Sequence, residues 1–351
     1  MSFNFNNPLY QEDLQGILKM VETDGLKGKS FLVTGATGMI GSCLIDTLMM
    51  LNGCGAGIKV YAVGRNLEKV STRFSYCLDN PDFTFIQQDV RDPLPEDLKV
   101  DYIIPLASNT HPLAYSQYPI ETIFINVEGA RFALDLASRC GAVVIYPSSV
   151  EIYGNSRDGN AFTETDTGVL NLATARSCYT ESKRLSESMC QSFISECGVD
   201  ARIIRFSRVF GPTMLMEDSK ASSQFIKKAL AGEDIVLKSK GDQFFSYTYV
   251  VDAVSAILYV MALGNCGEVY NVASEPFNVH LKDFAIACAK YASTEVVYDI
   301  PTESERKGYS IASKAIMDGT KIQGLGWNPM YSFNESICRT ISIIDSNPFR
   351  D

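Results

Sequence analysis

The sequence predicts an α/β fold centred on a doubly wound parallel sheet, with a smaller mixed α/β lobe toward the C-terminus. Three observations predict it. Short β-branched apolar runs alternate with longer amphipathic stretches through the first two hundred residues, the first run ends in a glycine trio that opens a helix, and the alternation stops after Arg205. Parallel strands need long crossovers, and helices packed on both faces of the sheet supply them.

The apolar runs place strands near residues 30–34, 59–63, 83–86, 101–106 and 142–147, and the helical patterns fall near 39–51, 119–139 and 177–197. Beyond Arg205 come a turn at Gly211 and Pro212, a polar segment at 217–223, a further helix and a Lys/Ser/Gly loop at 238–242. This order divides the chain into an N-terminal extension (1–27), a dinucleotide-binding domain (28–205 plus parts of 244–275) and a substrate lobe (206–243 and 276–351). A chain of 351 residues with 46% hydrophobic content can bury one large core with a second lobe.

Composition removes several function classes. The ten cysteines contain no C-x-x-C pair and the chain is too long to need staples, so reduced thiols and a cytoplasmic location are expected. The N-terminal residues carry acids where a signal peptide would carry a basic segment and an apolar core. No apolar run approaches the roughly 20 residues that span a bilayer, so no membrane partner is expected. A net charge of -10 argues against a nucleic-acid partner, whose phosphates draw on clustered Lys and Arg. With only two histidines, His111 and His280, a zinc hydrolase, a histidine-based triad and a metal site are not expected.

Residues 30–41 read S-F-L-V-T-G-A-T-G-M-I-G, an apolar strand running into Gly35, Gly38 and Gly41. Glycine permits the tight turn and close approach of the backbone to a pyrophosphate, and the amides of the helix N-terminus offer hydrogen bonds to the anion. Thr37, Met39 and Ile40 lie in the same turn and complete the predicted phosphate cradle. The spacing of the trio resembles the short-chain dehydrogenase/reductase pattern rather than G-x-G-x-x-G. Arg65 follows the second strand, where an NAD site would usually place an acid for the ribose 2′-hydroxyl. NAD is the expected cofactor, and Arg65 leaves NADP open, since an arginine there can pair with a 2′-phosphate or simply be solvated. Asp89 and Val90, after the third strand, resemble the adenine-edge segment of this class.

Tyr179 and Lys183 stand four residues apart in S-C-Y-T-E-S-K-R, on one helix face. A tyrosine acting as a base near neutral pH must lose roughly three pKa units, worth about 4 kcal/mol, and a neighbouring ammonium and an oxidised nicotinamide can supply that shift. One chance Tyr-x-x-x-Lys is expected among 17 tyrosines, so the pair gains its meaning from context. That context is Y-P-S-S-V-E-I-Y-G at 146–154, closing the fifth strand at the carboxyl edge where doubly wound sheets bind ligand. There Ser149 would hydrogen-bond the hydroxyl being oxidised, and Glu151 would face the next carbons of a sugar.

With G-A-T-G-M-I-G, P-L-A-S-N-T-H-P-L-A-Y, F-I-N-V-E-G, P-S-S-V-E-I-Y-G, R-S-C-Y-T-E-S-K-R, F-G-P-T-M, Y-V-V-D and L-G-W-N-P, nearly the whole chain resembles the extended short-chain dehydrogenase/reductases that act on nucleotide-sugars. The UDP-glucuronate decarboxylases and dTDP-glucose 4,6-dehydratases are the members it most resembles. The resemblance implies that Leu106, Ala107, Ser108 and Asn126 wall the cofactor and active site. It also implies that Ser108, Tyr115, Ser148, Arg208 and Gln224 contact substrate, with the nucleotide near 205–212 and 224–230. A homodimer and a role in supplying cell-surface polysaccharide are implied as well. Two departures stand out. The arginine usually found three or four residues before Y-V-x-D is Phe245 here, and the dehydratases' aspartic acid before the glutamate is Val150, which cannot donate a proton.

Three functions stay open at this stage. The first is a redox-neutral enzyme that oxidises the sugar C4 and then dehydrates, decarboxylates or epimerises. The second is an NADPH-dependent reductase of 4-keto-sugars, and the third a non-catalytic dinucleotide-binding regulator.

Overall fold

The computed structural model describes residues 3–110, 112–156, 159–300 and 314–346, with side chains omitted at 112–114. Its strands are β1 (Ser30–Thr34), β2 (Lys59–Gly64), β3 (Phe83–Gln87), β4 (Tyr102–Pro105), β5 (Val143–Ser149), β6 (Ala201–Phe206), β7 (Arg208–Phe210), β8 (Ile235–Leu237), β9 (Phe244–Tyr249), β10 (Val269–Val272), β11 (Asn278–His280), β12 (Val296–Tyr298) and β13 (Lys314–Ala315). The helices are α1 (Pro8–Met20), α2 (Met39–Gly53), α3 (Leu67–Arg73), α4 (Pro112–Gln117), α5 (Pro119–Cys140), α6 (Ser177–Cys197), α7 (Ala221–Leu230), α8 (Val250–Leu263), α9 (Leu281–Ala292), α10 (Thr320–Gln323) and α11 (Phe333–Asp345).

Seven parallel strands form one sheet in the order β10-β6-β5-β4-β1-β2-β3. The winding reverses between β1 and β4, and a crevice opens there at the carboxyl ends of the strands, as in Rossmann-like folds. Both faces are covered, so β1 reads as a continuous apolar run rather than an alternation. Phe31 and Val33 pack into the larger core with α1, α2 and α8, while Leu32 points the other way, into the core beneath α5 and α6.

A second, smaller sheet runs β11-β9-β13, with β7 added beside β9, and β8 pairs with β12. Its aromatic core joins Phe210, Tyr247, Phe284 and Phe333. Within 244–275, β9 lies in the small sheet and β10 in the large one. Residues 3–27 pack against the rest of the chain: Tyr10, Leu14 and Ile17 of α1 are fully buried. The Tyr10 hydroxyl donates to Asp46 on α2 at 2.6 Å, and Asp13 accepts from Tyr249 at 2.5 Å and from Arg339 at 2.6 Å. Within the large-sheet half, Arg205 binds both carboxylate oxygens of Glu187 and the Tyr153 hydroxyl; between the lobes, Thr213 donates to the Met39 carbonyl at 2.8 Å.

Candidate active site

The glycine turn is built by close approach. Gly35 has φ +63, and a Cβ there would lie 2.7 Å from the Ala107 amide nitrogen, so the chain leaving β4 passes directly over it. A Cβ on Gly41 would meet the Gly35 carbonyl oxygen at 2.5 Å. Gly38 caps α2 without a side-chain acceptor, and no hydrogen bond among the described residues reaches the amides of Met39, Ile40 or Gly41. These three unclaimed donors at a helix N-terminus, facing the crevice edge, fit a dinucleotide pyrophosphate. Thr37 lies between Gly35 and Gly38 in the same turn.

Farther along the sheet edge, Asp89 is clamped by Arg91 through contacts of 3.0 and 2.7 Å, and that hydrogen bonding holds its carboxyl below the usual range. Val90 packs against α5, in contact range of Gly129. Arg65 is half-exposed and pairs with Glu121 at 3.1 Å and Asp89 at 3.8 Å. A 2′-phosphate would have to displace two carboxylates from it, which favours NAD over NADP.

The Tyr179 and Lys183 side chains stand beside the end of β5. Tyr179 and Lys183 are both buried on α6. Lys183 donates to the Pro147 carbonyl at 2.8 Å and sits over the Tyr146 ring, while Ser149, at the end of β5, lies close enough to the Tyr179 phenol to lower its pKa. Ser149 also accepts from the Glu151 amide at 3.2 Å, which starts the turn that carries Glu151. Beyond β4, Ser108 donates to Asn126 at 2.7 Å, Asn126 to Ser182 at 2.8 Å, and Ser182 to the Tyr179 carbonyl at 2.9 Å. This relay fixes α5 against the turn of α6 that carries Tyr179. Leu106 and Ala107 lie where it begins, and Ala107 is held by the Thr34 hydroxyl at 3.1 Å.

Burial, not a cation, dominates the phenol. It pushes Tyr179 up from its usual value, Glu151 and Tyr115 push the same way, and only Ser149 opposes. The downward shift expected from Lys183 is therefore not made by the protein alone. Burial pushes Lys183 down to about 8, against the pull of Glu187 and Cys190.

Among the expected substrate contacts, Tyr115 stacks on Tyr179 with ring centroids 5.6 Å apart, and burial raises it to about 12. Among the described residues, the buried Ser148 hydroxyl has no partner. Arg208 pairs with Glu151 at 3.4 Å. Gln224, exposed on α7, donates to the Asp218 carbonyl at 3.0 Å, and no hydrogen bond joins it to the group around Tyr179. His111 lies outside the described residues, and His280 accompanies the start of α9 with a contact to the Asp242 carbonyl. Sequence reasoning missed Arg176, whose guanidinium lies 5.8 Å from the Tyr115 ring. It also missed Thr213, which followed the noted Gly-Pro turn, but no motif signalled its partner.

A sequence model of the NAD dependent epimerase/dehydratase family matches residues 31–273. UDP-glucuronic acid decarboxylase 1 of Xenopus tropicalis is 30% identical over 317 residues, covering 89% of this chain and 71% of that protein. UDP-glucuronic acid decarboxylase 6 of Arabidopsis thaliana is 34% identical over 245 residues, covering 68% and 69%. In fold, the chain is similar to a dTDP-glucose 4,6-dehydratase of Streptomyces venezuelae crystallised with NAD (TM-score 0.74, 24% identity, 90% of this chain and 96% of that one). It is likewise similar to the UDP-glucuronic acid 4-epimerase of Bacillus cereus (TM-score 0.73, 20% identity, 90% and 98%).

Proposed function

Because this chain belongs to the NAD dependent epimerase/dehydratase family, we propose that its crevice oxidises the C4 hydroxyl of a nucleotide-sugar and then remodels the sugar without net consumption of cofactor. The chain is an NAD-dependent enzyme that modifies nucleotide-sugars. The observation that carries the active-site reading is the convergence of Ser149, Tyr179 and Lys183 on the end of β5, beside the glycine turn.

The free amides of α2 would hold the pyrophosphate, Asp89 and Val90 would lie at the adenine end, and Lys183 would lie at the nicotinamide end. Bound there, NAD supplies a reversible hydride acceptor and a positive charge beside the phenol. Ser149 holds the C4 oxygen and Tyr179 takes its proton, which needs a pKa brought down from its raised resting value by the cationic ring. The resulting 4-ketone acidifies the C5 hydrogen and weakens the bond to a C5 carboxylate. Glu151 lies next to this reactive face. Val150 leaves the dehydratase proton donor absent, which favours decarboxylation or epimerisation over loss of water.

Four further readings belong to this proposal. Ser108, Tyr115 and Ser148 would line the sugar pocket, and Gln224 the nucleotide end. Ile120, Ile123 and Phe124 on α5 and Leu185 on α6 are exposed apolar side chains on a helix pair, which supports a homodimer closed through that pair. Ten free cysteines support a cytoplasmic location, and among the described residues no helix is long and apolar enough to cross a membrane. The product would feed cell-surface polysaccharide.

The test is direct. NAD-loaded enzyme offered UDP-, dTDP-, CDP- and GDP-sugars should convert at least one without added reductant. Tyr179→Phe should lower turnover by about 10²-fold or more while still binding NAD. Failure on both counts rejects the proposal.

A further inference from the structure

Strands β7 and β9 run parallel with Arg208 opposite Tyr247, so Arg208 and Phe245 emerge on the same face. The guanidinium carbon of Arg208 lies 3.6 Å from the centroid of the Phe245 ring. Stacking on a ring fixes the plane of a guanidinium and leaves its edge donors free. Among the described residues, one of its N–H donors meets Glu151, at a long 3.4 Å, and Nη1 is buried with no partner. An unmet buried donor is destabilising, more so when charged, and an acceptor brought by a ligand would remove that cost.

We propose that Arg208, held by Phe245, binds a carboxylate on the substrate's sugar, so that the substrate class is a nucleotide-linked uronic acid. This rests on the nucleotide-sugar reading above and deepens it. The position argues for the sugar end: Glu151 stands two residues after Ser149, and Tyr115, stacked on Tyr179, feels the charges of Arg208, Glu151 and Arg176. A sugar carboxylate placed beside Glu151 would be repelled unless a cation lay between them, and Arg208 is in contact with that glutamate. The charge that the related enzymes carry three or four residues before Y-V-x-D is thus supplied from the adjacent strand, with Phe245 as its platform.

Calorimetric titration of the NAD-loaded protein with UDP-glucuronate, UDP-glucose and UDP tests this. The wild type should prefer UDP-glucuronate to UDP-glucose by about tenfold or more, the value of one charge-assisted pair. Arg208→Leu should erase that preference and change the affinity for UDP and UDP-glucose by less than about twofold. Arg208→Lys should restore part of it, and Arg208→Leu combined with Phe245→Arg, which returns the charge to β9, should restore more. Should Arg208→Leu fail to fold, Arg208→Gln, uncharged and still polar, carries the comparison. An unchanged preference, or equal losses for all three ligands as a diphosphate or purely structural contact would give, overturns the inference alone. A wild type that binds none of the three and converts no other nucleotide-sugar overturns the functional reading together with it.

Discussion

Lys183 is a buried charge that the fold holds at a cost. Its ammonium is buried with one carbonyl to donate to, and its pKa falls to about 8. In the unfolded chain a lysine titrates near 10.4, so between these values the folded state binds fewer protons. The penalty is full below pH 8 and fades as the pH climbs toward 10. Lys183→Met should therefore raise the unfolding free energy of the cofactor-free protein at pH 7 by about 1–2 kcal/mol, with a gain that shrinks above pH 8. The same substitution should weaken NAD binding and turnover by about tenfold or more. Denaturant melts between pH 6 and 10, beside an NAD titration, check both halves. Lower stability at pH 7 would mean that the bond to Pro147 outweighs the burial. The pairing of Tyr179 with Lys183 was readable from spacing; the upward direction of the tyrosine's shift was not, because it depends on how deeply the phenol is buried.

Among the elements, α2 depends on the absence of a side chain at Gly41. Gly41→Ala would drive a Cβ to 2.5 Å from the Gly35 carbonyl, against backbone that has nowhere to go. It should cost about 2–4 kcal/mol of stability and reduce NAD affinity by about tenfold or more. Gly53→Ala, at the other end of the same helix, meets nothing within 4 Å and should leave both unchanged to within about 0.5 kcal/mol. Thermal unfolding and NAD titration of the two variants make the comparison. The first five strands and three long helices were legible because parallel strands covered on both faces are unbroken apolar runs. Strand β6 escaped notice since A-R-I-I-R-F carries two arginines, which become buriable only through Asp200 and Glu187. The small sheet escaped as well. Its strands β7, β11 and β13 have only three, three and two residues, too short for a period, and the seating of Arg208 on Phe245 follows from their register.

For the whole molecule, exposed apolar groups among the described residues gather along the paired helices α5 and α6. Ile120 is 70% exposed and Phe124 47%. Ile120→Asp with Phe124→Asp should convert a dimer to a monomer, since charges facing each other across a two-fold interface are unpaired and desolvated. Sedimentation equilibrium at micromolar concentration reads this directly; an unchanged mass places the interface elsewhere. Helix α1 was expected as an extension because its sequence says nothing about what it will cover. Its burial depends on Asp46, Tyr249 and Arg339, contributed by distant parts of the chain. The Thr213 hydroxyl leans on the first carbonyl of the helix whose amides face the crevice edge. Bonds of this kind join the halves that would hold the two ligands, so their binding constants would be linked free energies: whatever dinucleotide occupancy gives the sugar site, sugar occupancy returns in equal measure.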